Sequence, residues 1–292
     1  MQEEKIADFK KSKFVDLEKL VKIRQVWQKL VWGKSATHYE HQVYAYLYWW
    51  SGYGPFRLLE FIYMYSFYEN EEDFELKKLH SFTKLLIRYL LIYSIRYRKV
   101  VNRAKTFCYD VIRHILKPGS TEDSTLALLK DALGKLKNEE WRYNQLTSSL
   151  KANDIFEASR KKNLLTRLSA MLEEKNGLNT KSNYHKYFEA GGIDIEHIHP
   201  RTPQKEPSPE WASILNGLGN LVVLEFDKNR SISNSSFNTK QGQYKDSKFP
   251  IVKKLAEIKD GWTVEKCKAR QEVEVQKILD FLFEGIEEKK SS

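Results

Sequence analysis

At 292 residues the chain is long enough for two domains or one large one, and about three-quarters of its unfolded surface can be buried at this size. A 41% hydrophobic and 13% aromatic content supplies a packed core and argues against wholesale disorder. The net charge of +10, from 49 Lys and Arg against 39 Asp and Glu, favours a polyanionic partner, nucleic acid before anionic membrane; a solvated surface with a slight lysine excess has an equal claim from charge alone.

The two cysteines, Cys108 and Cys267, form no CxxC pair, which excludes a cysteine-rich zinc site and fits a reducing compartment. The opening MQEEKIADFKKSKF has no apolar signal core. The most apolar stretch, KLLIRYLLIYSIRYRK, is broken by Arg88 and Arg96 and falls short of the ~20 apolar residues of a membrane span. A cytoplasmic protein with no membrane association is expected.

Up to about residue 175 the pattern is helical. Leu20, Ile23, Trp27 and Leu30 recur at helical spacing, HYEHQVYAYLYWW runs into the break SGYGPF, and FRLLEFIYMYSFY leads to an acidic loop, ENEEDFE. A helix from about Leu76 to Tyr97 carries Leu79, Leu86, Leu90 and Tyr93 on one side. KPGSTEDS is a turn with capping residues, after which Leu126, Leu129, Leu133 and Leu136 mark another helix, and NLLTRLSAMLEEK one more. The Tyr and Trp of this half read as helix-packing residues.

The character changes after Asn176. KNGLNTKSN is a polar loop, IDIEHIHP is short and β-compatible, and RTPQKEPSPE, with three prolines, is a loop. WASIL is a helical turn, NGLGN a tight turn and LVVLEF a short buried strand. DKNRSISNSS is turn-like. From Ser235 the residues Phe237, Lys240 and Tyr244 fall on one helical face, and a helix from Thr263 carries Val275, Ile278, Leu279 and Leu282. Residues 190–248 therefore read strand, long loop, strand, helix.

The densest chemistry is Asp194, Glu196, His197 and His199 in GGIDIEHIHPRTP. With Gly219-Asn220-Leu221, the apolar strand, Asn229 in DKNR, and then Asn234, Phe237, Lys240 and Tyr244, it resembles the HNH (ββα-metal) endonuclease superfamily. The likeness is greatest to the C-terminal nuclease domain of GmrSD-type modification-dependent restriction proteins. The HNH domain of RNA-guided CRISPR nucleases shares the pattern. The resemblance covers roughly 163–283, its specific part 193–247.

It implies a mainly α chain with a small α+β module: a helical domain, 1–160, then an HNH-like nuclease domain, 161–292, with its core at 190–248 and a C-terminal helix. Phosphodiester hydrolysis requires an activated water and charge neutralisation at phosphate oxygens. A neutral histidine suits the base, and His197 takes that role. Mg²⁺, or Mn²⁺, wants oxygen ligands and keeps several waters, so Glu196 and Asn229 are the candidate ligands. Many relatives place Asp where Glu196 stands. By resemblance Asn220 orients the loop and the histidine. Lys228, Arg230 and Lys240 are candidates for phosphate oxygens. His199 is a weaker candidate for the same contact, with a structural histidine the plainer account; His185 reads as a packing residue and Asp194 as a strand-edge acid. One geometric difficulty stands: neighbouring Glu196 and His197 point to opposite faces of an ideal strand.

The expected function is metal-dependent cleavage of double-stranded DNA, in restriction of foreign or modified phage DNA. No Gly-rich phosphate loop is present, so a ParB-like or ATPase partner subunit is expected to supply nucleotide binding and recognition. The alternatives are a nuclease of another ATPase-partnered defence system, an RNA-cleaving nuclease, and a non-catalytic nucleic-acid-binding protein.

Overall fold

The computed structural model describes residues 16–32, 41–45, 47, 58–69, 75–96, 101–154, 160–176, 184–188, 191–201 and 208–287. The SGYGPF break and most of the acidic ENEEDFE loop lie outside these residues.

The first half is helical: α1 (Leu17–Trp32), α2 (Leu58–Phe67), α3 (Leu76–Arg96), α4 (Val101–Ile115), α5 (Glu122–Asn138), α6 (Glu140–Leu150) and α7 (Arg160–Asn176). The stripe that marks α5 does its work by burial, since Leu129, Leu133 and Leu136 are in the core. Its start is fixed by Thr121, whose side chain accepts from the Ser124 amide while Ser124 reaches back to the Thr121 amide.

After a 3-10 turn at Tyr184–Tyr187 come β1 (Ile193–His197), α8 (Pro209–Ala212), a 3-10 turn at Leu218–Asn220, and β2 (Leu221–Glu225). The two strands pair antiparallel with Ile193 opposite Glu225 and His197 opposite Leu221. Four helices follow among the described residues: α9 (Phe226–Ile232), α10 (Phe237–Tyr244), α11 (Pro250–Ala256) and α12 (Val264–Phe283). The architecture is therefore mainly helical with one small two-stranded sheet among the described residues.

DKNRSISNSS differs from the turn expected of it. Residues 226–232 form α9, which has no side-chain cap at Glu225 and ends where Ser233 adopts φ 43°. A short uncapped helix is weak in isolation; this one is held by packing on both strands and on α10.

The C-terminal helix α12 joins the two halves. It packs against α3, α5, α6 and α7 and against the turn that leads into β2. Gly219 permits that approach, because a Cβ there would collide with the Cys267 carbonyl and with Gln271. Arg270 then donates to the carbonyls of Leu218, Gly219 and Leu221 at 3.0, 2.7 and 2.9 Å, fixing the start of β2. No described helix is long and apolar enough to cross a membrane.

Candidate active site

β1 sends Glu196 and His197 in different directions, as strand alternation requires. Glu196 faces α10. Its Oε1 lies 2.5 Å from Lys240 Nζ and accepts from the Tyr244 hydroxyl at 3.2 Å. Lys240 Nζ also donates to the main-chain oxygen of His197 at 2.6 Å. Phe237, Lys240 and Tyr244, spaced i, i+3, i+7, form the inward face of α10, and all are buried. Lys240 is only 1% exposed, so its ammonium is turned into the protein and not toward a phosphate in solvent. Burial pushes the Glu196 carboxyl upward, while the Lys240 ammonium and the hydrogen bonds pull against it.

His197 is 6% exposed and its Nε2 lies 3.0 Å from Asn216 Oδ1. An amide oxygen can only accept, so Nε2 carries the proton and the lone pair of the neutral ring is on Nδ1. Burial drives the imidazole down to about 4, the Asn216 bond opposes that fall, and the charges of Arg201 and Lys240 add to it. Asn216 is itself anchored: its main-chain N–H donates to Asn153 Oδ1 at 2.9 Å, and Asn153 Nδ2 donates to the Ala212 carbonyl at 2.7 Å. Neither Asn216 nor Asn153 was among the residues the sequence singled out. Asn216 had a signal, since it opens NGLGN; Asn153 had none.

Asn220 is fully buried with its amide committed at both ends. Oδ1 accepts from the His199 amide at 2.8 Å and from Trp262 Nε1 at 3.2 Å; Nδ2 donates to the carbonyls of His199 and Leu215 at 3.0 and 2.9 Å. The side chain thus locks the chain just past His197 to the turn before β2, and its Ile198–Asn220 main-chain bond extends the hairpin by one residue. His199 lies beyond the strand end. Its half-buried ring stacks on Trp211 with centroids 3.9 Å apart and planes 6° from parallel, and burial lowers its pKa, with Lys240 contributing. Asp194 is exposed and accepts from the Ile195 amide. The side chain of His185 lies outside the described residues.

Lys228, Asn229 and Arg230 are consecutive on α9 and so point in three directions about 100° apart. Arg230 is exposed, with its guanidinium 4.0 Å above the Phe226 ring. Lys228 and Asn229 are half-buried, and the Asn229 side chain makes no hydrogen bond to another described residue. α9 packs on β1, so Asn229 and His197 ride on elements in contact.

These donors give a mixed answer on a divalent cation. Asn229 offers an amide oxygen with no partner among the described residues, but Glu196 does not fit, because it is 4% exposed and its Oε1 is held by an ammonium and a phenol. Among the described residues no group of three or more His, Cys, Asp or Glu is placed to hold a metal ion. As a set, Glu196 and Asn229 do not fit the ion.

The antiparallel hairpin is thus followed by two short helices, with a buried histidine at the hairpin's end and the half-buried Asn229 on the next helix. Residues 137–273 match the family model for GmrSD restriction endonucleases, C-terminal domain. That stretch, from the end of α5 into α12, contains the candidate site residues and is similar to part of a restriction-type endonuclease. No curated protein matches the chain.

Proposed function

We propose that the protein is an endonuclease that hydrolyses DNA phosphodiester bonds in restriction of foreign DNA, modified phage DNA included. His197 is the general base. The imidazole takes a proton from water, the water oxygen bonds to phosphorus, and the bond from phosphorus to the leaving sugar oxygen breaks, that oxygen taking a proton from solvent. The observation that carries this reading is the histidine held neutral by burial and oriented by Asn216, inside the stretch that matches a restriction endonuclease domain. Asn220 is a positioning residue for the chain after His197. Arg230 and Lys228, with the exposed Arg201 whose charge reaches the ring, are the cations for phosphate oxygens. Dependence on Mg²⁺ or Mn²⁺ belongs to the same proposal, with Asn229 as the protein ligand and water and phosphate as the others.

The test is cleavage of duplex DNA and of RNA by the purified chain with Mg²⁺ or Mn²⁺, beside His197→Ala. The expected outcome is loss of nicking by a factor of about 10²–10⁴ with DNA affinity retained. Unchanged cleavage rejects the assignment and favours a binding module. A ParB-like or ATPase partner subunit is proposed to supply nucleotide binding and recognition. Full selectivity from this chain alone, without nucleotide, rejects that partner.

A further inference from the structure

We infer that the carboxylate of Glu196 serves the Lys240 ammonium and not a divalent cation, and that the pair is a strut that positions the His197 end of β1. The inference rests on the nuclease reading for what the positioning achieves, but its geometry is independent of it. Glu196 sits on the face of β1 opposite the imidazole, at 4% exposure, against Lys240 at 1% and Tyr244 at 0%. Lys240 Nζ touches two things: Glu196 Oε1 at 2.5 Å and the His197 carbonyl at 2.6 Å. One ammonium therefore ties the carboxylate of residue 196 to the main chain of residue 197, from a helix anchored by Phe237 and Tyr244 on the same face. A divalent ion on that carboxylate oxygen would stand beside a buried ammonium, where like charge opposes it strongly. The centre has other oxygens to offer, because Mg²⁺ keeps several waters and takes substrate phosphates among its ligands.

The sign of the effect on metal binding separates a strut from a ligand. Mn²⁺ is titrated into the full chain with duplex DNA, free Mn²⁺ being read by electron paramagnetic resonance, for wild type, Glu196→Gln and Lys240→Met. Cleavage is measured on the same samples and folding is checked by circular dichroism. The expected result is a Mn²⁺ Kd within about threefold of wild type in both variants, with kcat lowered about tenfold in both and KM for DNA unchanged. Lys240→Arg, which keeps the charge, recovers part of the loss. A Kd weakened about tenfold or more in Glu196→Gln, together with tighter binding in Lys240→Met, overturns the inference, because removing a competing ammonium helps only if the carboxylate is a ligand. Should either single variant fail to fold, the double variant Glu196→Gln/Lys240→Met, which has no charge left to bury, is judged by the same Kd. Absence of Mn²⁺ binding in every form, with the paired fall in kcat, supports the strut and removes the cation from the nuclease reading. Unchanged cleavage in His197→Ala overturns that reading and leaves the Mn²⁺ comparison standing.

Discussion

Glu60 and Glu196, two of the buried glutamates of this protein, are held by different means. Glu60, in the helical half, accepts from Trp27 Nε1 at 3.0 Å and Thr83 Oγ1 at 2.8 Å, and its Oε1 lies 2.5 Å from His41 Nε2. Glu196, in the strand region, has one ammonium and one phenol on a single oxygen. Burial opposes ionisation in both. At Glu60 the several partners prevail and the carboxyl stays below its ordinary range; at Glu196 burial prevails and the carboxyl is raised. A buried acid is thus tuned by the balance between burial and the donors that reach it, spread over both oxygens at Glu60. The acid whose carboxyl is raised lies beside the candidate base, where perturbed titration is common at functional sites.

The sharpest way to break the comparison is to remove the one strong partner of Glu196. Lys240→Met leaves a buried carboxylate without its cation, with only neutral donors beside it. The expected loss is about 3–5 kcal/mol, the cost of an orphaned buried charge. In a chain of this length that is on the order of 10 °C in Tm, read by thermal unfolding. A loss under about 1 kcal/mol would mean that Glu196 is simply neutral in the folded state and that no ion pair exists to break.

The second test is pH, where the two carboxyls and His197 act with different signs. Glu60, lowered on folding, contributes stability that is present above its ordinary value of 4.5 and is lost as pH falls through the folded value. Glu196, raised on folding, contributes stability that is present below 4.5 and is lost as pH rises through its folded value. His197 drops from 6.5 to about 4, so the unfolded chain binds the extra proton between those values. Its contribution is complete above pH 6.5 and falls by roughly 3 kcal/mol on the way to pH 4. Urea midpoints of wild type and His197→Asn at pH 7 and pH 4.5 isolate that part: the difference between the two proteins should change in favour of His197→Asn at the lower pH. Cleavage should keep its acid limb near pH 4, not near 6.5, because the ring stays neutral throughout that window.

How much of this was legible in the sequence varies with the range of the interaction. Leu129, Leu133 and Leu136, or Val275, Ile278, Leu279 and Leu282, announce their helices because a periodic stripe is a local signal. β1 and β2 were visible as short apolar runs bounded by turns. α9 was not, because Ser, Asn and Asp favour turns and only packing against both strands makes residues 226–232 helical. Within the candidate site, the acid-histidine pair could be read, and so could the doubt that both face one point. Lys240 could have been read better. It lies between Phe237 and Tyr244 at helical spacing, so the periodicity that buries those rings buries the lysine as well. Asn153, 63 positions from the amide it anchors, has no local signature at all.

The smallest effect sharpens the comparison from the Glu60 side. Thr83→Val keeps the shape of a β-branched side chain at a buried position and deletes one of the donors to Glu60. If several partners share the work, losing one should cost only about 1–2 kcal/mol, the range for a hydrogen bond to a charged group, and chemical denaturation resolves that. Trp27→Phe, which removes the indole donor from the other oxygen, should cost a similar amount. The two losses should fall short of additivity by a measurable amount, since the remaining partners draw closer to a carboxylate that has lost both. Either single loss matching that of Lys240→Met would show that Glu60, too, hangs on one contact, and the contrast between the two halves of the molecule would disappear.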